Sequence, residues 1–200
     1  MRKGLAAVLV AAVVAALVVG IASWWAGRQG PASVPAEIAV RKYRPGELMT
    51  VTPPVPAPSI AFLDGDGRET TLAAFKGKTV VVNLWATWCP PCVKEMPSLD
   101  RLSKALGGPD FAVVALSQDR SLDLVKTFYD TYLLDNLASY LDRSAGLGRA
   151  LGASGLPTTY VLDPQGRVVA AMEGGAEWDS PAMIARLRSV ASPSLNPSQP

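Results

Sequence analysis

In Lys78-Thr-Val-Val-Val-Asn-Leu-Trp-Ala-Thr-Trp-Cys-Pro-Pro-Cys92, an apolar, β-branched run ends at two cysteines three positions apart. Lys78 to Trp85 reads as a buried strand. The stretch after it reads as a helix from about Pro90 to Leu106, with Pro97 placed to kink it and Gly107-Gly108 to stop it. A cysteine between a buried strand and a helix start has a physical reason to be reactive. Free N–H groups and the positive end of the helix dipole favour its thiolate. Cys89 is therefore the expected nucleophile, and Cys92, one turn deeper, the expected resolving thiol. Pro90 and Pro91 carry no N–H, so the Cys92 amide is the nearest backbone donor in the motif.

C-x-x-C also occurs as half of a zinc site, as a structural disulfide, or as two inert buried thiols. Composition weighs against these. The 200-residue chain has two cysteines and no histidine, whereas a closed zinc site needs about four such ligands. The missing histidine also removes Ser-His-Asp and Cys-His catalysis. No metal site and no cofactor beyond the redox-active pair Cys89-Cys92 is expected. The net charge of +2 comes from scattered residues, which argues against a nucleic-acid surface.

Outward from the motif, short apolar runs alternate with turns. Ile60-Ala-Phe-Leu63 precedes Asp64-Gly-Asp-Gly67, a hairpin signal that lacks the spacing and terminal Glu of a calcium loop. Phe111 to Leu116 reads as a buried core strand, and Leu122 to Leu134 has helical spacing at Leu122, Val125, Tyr129 and Tyr132. A short apolar stretch at 138–141 and a brief helix near Gly146 to Leu151 come next. Thr158 to Leu162, a turn at 163–166, and Arg167 to Met172 suggest an antiparallel pair, and a last helix fits Pro181 to Ala191. The expected fold is α/β, with a mixed central sheet between helical layers.

Upstream, residues 5–26 are apolar apart from Ser23. As a helix this segment would extend about 33 Å, enough to cross a bilayer. Arg2 and Lys3 precede it, and Trp24 and Trp25 stand near its far end, where indoles favour headgroups. A cleaved signal peptide would have a shorter apolar core, of roughly 7–15 residues. The charge rule is equivocal on orientation, because Arg28, Arg41, Lys42 and Arg44 lie beyond the span. A cytoplasmic N-terminus is chosen because a short signal-anchor normally exports the chain on its C-terminal side. The expected organisation is a transmembrane signal-anchor over 1–26, a proline-rich linker over 27–58, a catalytic domain over 59–191 and a disordered tail over 192–200.

Val82 to Cys92, taken with Gly155-Leu-Pro-Thr-Thr-Tyr160, resembles the thioredoxin superfamily, and within it the TlpA-type bacterial membrane-anchored reductases. The resemblance covers about Ser59 to Ala191. It implies a thioredoxin-like three-layer fold with a mixed central sheet, preceded by an N-terminal transmembrane helix. It also implies that Cys89 attacks, that Cys92 resolves, and that Pro157 is a cis-proline beside them. Leu156 would offer backbone groups to a partner chain, with Trp88 and Pro90 also meeting substrate. Trp85 and Trp88 would pack around and cover the sulfurs. Where ordinary thioredoxins carry a buried Asp, this sequence has Asn83, which cannot relay a proton. Glu95, on the same helical face as Cys92, is the expected replacement.

The expected activity is therefore a membrane-anchored thiol-disulfide oxidoreductase. It would reduce disulfides of partner proteins on the periplasmic side of a bacterial cytoplasmic membrane, as a monomer recharged by a membrane electron donor. The resemblance points to maturation of cytochrome c or of cytochrome oxidase. Two alternatives stay open: a thiol oxidase, which a reduction potential would reveal, and a Cu(I)-binding thioredoxin-like chaperone, which thiolates favour but which would lack a third ligand.

Overall fold

The computed structural model describes residues 46–191. The expected membrane anchor, most of the linker and the tail lie outside them. Among the described residues no helix is long and apolar enough to cross a membrane. The elements in chain order are β1 (Met49–Pro56), β2 (Phe62–Leu63), β3 (Glu69–Thr70), a 3-10 turn (Leu72–Phe75), β4 (Thr79–Trp85), α1 (Pro90–Leu106), β5 (Phe111–Ser117), α2 (Leu122–Tyr132), β6 (Tyr140–Leu141), α3 (Gly146–Ala150), β7 (Thr158–Leu162), β8 (Arg167–Glu173) and α4 (Pro181–Ala191). They form one sheet in the order β1-β8-β7-β4-β5-β6-β2-β3. Strands β4, β5 and β6 run parallel, and the remaining pairs are antiparallel. This is the mixed α/β sheet that the sequence pattern implies.

Strand β4 shows how the core is divided. Its side chains alternate between faces: Val81 and Trp85 join one cluster with Met96, Leu99 and Leu102 of α1, Val125 and Phe128 of α2, and Leu187 of α4. Val80, Val82 and Leu84 join the other, with Leu72 of the 3-10 turn and Leu147 of α3. Asn83 is in phase with Val81 and Trp85 and therefore faces α1. It is fully buried, a polar group in the middle of the central strand.

Helix α1 begins at Pro90 with Cys89 as its N-cap residue, and proline at the first helical position costs no internal hydrogen bond. It continues through Pro97 and ends at Gly107. A Cβ on Gly107 would collide with the Ser103 carbonyl oxygen, which favours glycine at this stop.

The linker boundary expected at 58/59 is corrected by the structure. Residues Met49–Pro56 are an edge strand paired antiparallel with β8, with a register irregularity between Thr50 and Val55. Val51 and Val55 are buried in the core, as is Leu48 before them, and Arg186 of α4 donates to the Leu48 carbonyl and to Thr50 Oγ1. The prolines pointed to a spacer, but proline is compatible with an edge strand, whose outward groups have no ladder partner.

Candidate active site

The site is assembled at the end of β4. The Cys89 N–H donates to the Ala86 carbonyl at 3.1 Å, closing a turn through Thr87 and Trp88, and the Val93 N–H donates to the Cys89 carbonyl at 3.0 Å to start α1. Cys89 and Cys92 form a disulfide with Cα atoms 5.3 Å apart. Cys92 is fully buried and Cys89 keeps 4% of its surface exposed. Of the two, Cys89 is the one that retains any contact with solvent.

The two tryptophans part company. Trp85 is buried against α2, its ring 5.8 Å from Tyr129 and nearly parallel to it. Trp88 is 66% exposed. Trp88, expected to cover the sulfurs with Trp85, stands in the turn that places Cys89 at the helix start, with most of its surface in solvent. Pro90 and Pro91 are exposed beside it.

The Leu156-Pro157 bond is cis. Strand β7 pairs with β4 so that Thr158 faces Leu84, and the preceding residues reach the sheet end from which the cysteines leave. Leu156 is half-buried against the cluster that contains Cys89 and Cys92. The Pro157 carbonyl is taken by the Gly174 N–H at 2.9 Å.

Glu95 is almost wholly buried, at 3% exposure. Its Oε1 accepts from Asn83 Nδ2 at 2.9 Å, and its Oε2 accepts from Trp178 Nε1 at 2.8 Å and from the Ala176 N–H at 3.0 Å. Burial pushes its proton affinity above the ordinary carboxylate range, partly offset by the hydrogen bonds from Trp178, Asn83 and Ala176. Asn83 also donates to Thr159 Oγ1 at 2.9 Å, while its own Oδ1 is buried with no partner. A cleft of about 390 Å³ opens beside the carboxylate, lined by Pro91, Lys94, Glu95, Gly175, Ala176 and Glu177.

Sequence reasoning missed a second buried carboxylate. Asp119, 3% exposed, accepts from the Thr87 N–H at 3.0 Å, from Thr87 Oγ1 at 2.7 Å and from Ser117 Oγ at 2.7 Å. It ties the turn before Cys89 to the end of β5. The parallel neighbourhood of two apolar strands was the only available signal. Among the described residues no group of three or more Asp, Glu, Cys or His side chains is arranged to hold a metal.

The Redoxin family matches residues 53–187. The chain belongs to that family. It is 33% identical over 118 residues to the thiol-disulfide oxidoreductase ResA of Bacillus thuringiensis, covering 59% of this chain and 68% of the relative. ResA of Bacillus subtilis is 34% identical over 118 residues, covering 59% and 65%. A solved thioredoxin-family thiol:disulfide interchange protein from Chlorobium tepidum superposes with a TM-score of 0.55 at 31% identity, over 69% of this chain and 96% of that one. With a cysteine pair at the helix start and a cis-proline loop at the same sheet end, this redoxin is a thioredoxin-like, TlpA-type thiol-disulfide oxidoreductase.

Proposed function

We propose that this redoxin works as a reductase of disulfides in partner proteins. It is tethered by its N-terminal apolar segment to a bacterial cytoplasmic membrane, with the catalytic domain on the periplasmic side. The observation that carries the reading is the Cys89-Cys92 disulfide at the start of α1, with Cys89 the less completely buried residue of the pair and exposed Trp88, Pro90 and Pro91 next to it in the chain. A partner chain would meet Cys89 first, because it keeps the residual exposure of the pair.

In the reduced enzyme the Cys89 thiolate attacks one sulfur of the partner disulfide. A mixed disulfide forms and one partner thiolate leaves. Cys92 then gives its proton to the Glu95 carboxylate and attacks Cys89 Sγ, restoring the Cys89-Cys92 disulfide and releasing the second partner thiolate. Two electrons pass to the partner, and no cofactor beyond the cysteine pair takes part. A membrane electron donor returns them. The ResA relatives and the TlpA resemblance favour a role in cytochrome c or cytochrome oxidase maturation, with the enzyme acting as a monomer.

Trapping tests the reading. Cys92→Ser should accumulate mixed disulfides through Cys89, and Cys89→Ser should accumulate none. Equilibration with dithiothreitol should place the pair near thioredoxin, at about −270 mV, rather than near the strong oxidants at about −120 mV. A value at the oxidising end would make the enzyme a thiol oxidase instead.

A further inference from the structure

Helix α1 presents Glu95, Ser98 and Arg101 at three-residue spacing, and all three hold the strap Gly174–Asp179 that links β8 to α4. Ser98 Oγ accepts from the Trp178 N–H at 3.0 Å, and its single proton faces the Glu95 carbonyl at 2.8 Å and the Ala176 carbonyl at 3.3 Å. Arg101 pairs with Asp179 at 2.6 Å and with Glu177 at 2.7 Å. Trp178 lies inward from these contacts, completely buried, and its indole ends on Glu95.

The two oxygens of Glu95 are not equivalent. A carboxylate oxygen has about two in-plane acceptor sites. On Oε2 both are taken, by Trp178 and Ala176. Oε1 receives only Asn83 and keeps one site open. We propose that Trp178 is the positioning residue for Glu95: by saturating Oε2 and fixing the carboxylate plane, the strap leaves Oε1 as the atom that receives the Cys92 proton. This inference rests on the role of Glu95 proposed above.

The consequence is a dependence of the acid on a residue 83 positions away. Every donor to the carboxylate stabilises its charged form against the burial that opposes it. Loss of the indole N–H therefore favours the protonated acid, which cannot accept from Cys92. The titratable groups around this carboxylate are Cys92 one turn earlier on α1, and Lys94 and Glu177 lining the cleft. Arg101 and Asp179 hold each other.

The test compares pH profiles of disulfide exchange for the full-length protein in detergent, using 5,5′-dithiobis(2-nitrobenzoate) as the probe. Trp178→Phe keeps the apolar body and removes the donor. It should move the acid limb to higher pH, with about a tenfold loss of rate on that limb, the worth of one hydrogen bond to a charged group. Adding Trp178→Phe to Glu95→Gln should then change nothing further. An unmoved limb in Trp178→Phe, or an equal loss at every pH in both backgrounds, overturns the proposal. If Glu95→Gln itself leaves the profile unchanged, the role of Glu95 fails instead.

A measurement without a core substitution guards against misfolding. In wild-type protein with ¹⁵N-labelled tryptophan, one indole N–H resonance should titrate on the same pH limb as the exchange rate and cease to titrate in Glu95→Gln. Absence of such a resonance overturns the proposal.

Discussion

Two buried carboxylates flank one disulfide, and they are held in opposite ways. Asp119 draws its donors from neighbouring strand ends: the backbone and hydroxyl of Thr87, and Ser117 two residues before it. Glu95 draws its donors from β4 and from the strap, 12, 81 and 83 residues away. Hydroxyl groups can donate or accept as they rotate, whereas the three donors to Glu95 are all N–H groups. The first arrangement holds a turn in shape. The second holds a carboxylate in a burial that favours its proton.

The division predicts different failures. Glu95→Gln should have the largest effect on rate, about 100-fold or more in the exchange step, the ordinary worth of a positioned acid–base group. It should also flatten the pH profile measured by stopped-flow. Stability should move the other way. The folded-state proton affinity of Glu95 is raised by burial, so the folded protein holds the proton over a pH window in which the unfolded chain has lost it. Stability therefore falls as pH rises through that window. Gln escapes this loss, and the difference in Tm between Glu95→Gln and wild type should grow with pH across it. A difference that shrinks with pH breaks the comparison.

Asp119→Ala should do the reverse. It strands the Thr87 N–H and the Ser117 hydroxyl in a largely buried place, costing about 1–3 kcal/mol for an unsatisfied buried group. Thermal unfolding should register a fall of several degrees, and exchange should slow equally at all pH values. A moved pH limb in this variant would mean that Asp119 also handles protons.

Thr87→Val removes one hydroxyl donor and keeps the shape and the backbone N–H. It should cost about 1 kcal/mol, with Thr87→Ser recovering most of it in a denaturant titration. Lys94→Gln, at the exposed side of the cleft, should change stability by no more than about 0.5 kcal/mol. A larger loss would show that Glu95 answers to charge at the cleft as well as to its three donors.

Local pattern carried the strand, the cysteines, the helix and the closing hairpin, because each depends on residues close in sequence. Thr79–Trp85, Pro90–Leu106 and Thr158–Leu162 lie where the periodicity put them. Glu95 was legible as a candidate because it shares a helical face with Cys92. Its cage was not legible, since nothing in Gly174 to Asp179 announces that an indole will return to a helix more than eighty residues earlier. Asp119 was missed for a related reason: its partner Thr87 becomes adjacent only once β4 and β5 lie side by side. Strand β1 was hidden by its own composition. Val51 and Val55 share one face, as strand spacing requires, but exposed Pro53 between them and the irregular register break the inward run.

That first strand also bears on how the enzyme meets unfolded polypeptide. Chains that expose a disulfide for reduction often expose unpaired backbone too, and an open sheet edge invites such backbone to add itself as another strand. At one edge stands β1, where Pro53, Pro54 and Pro56 offer no N–H to a newcomer. At the opposite edge β3 is two residues long, too short to template much. A client held instead at the Leu156-Pro157 loop, the contact proposed for this enzyme, would be released when the mixed disulfide resolves, whereas nothing in the reaction would undo a strand pairing.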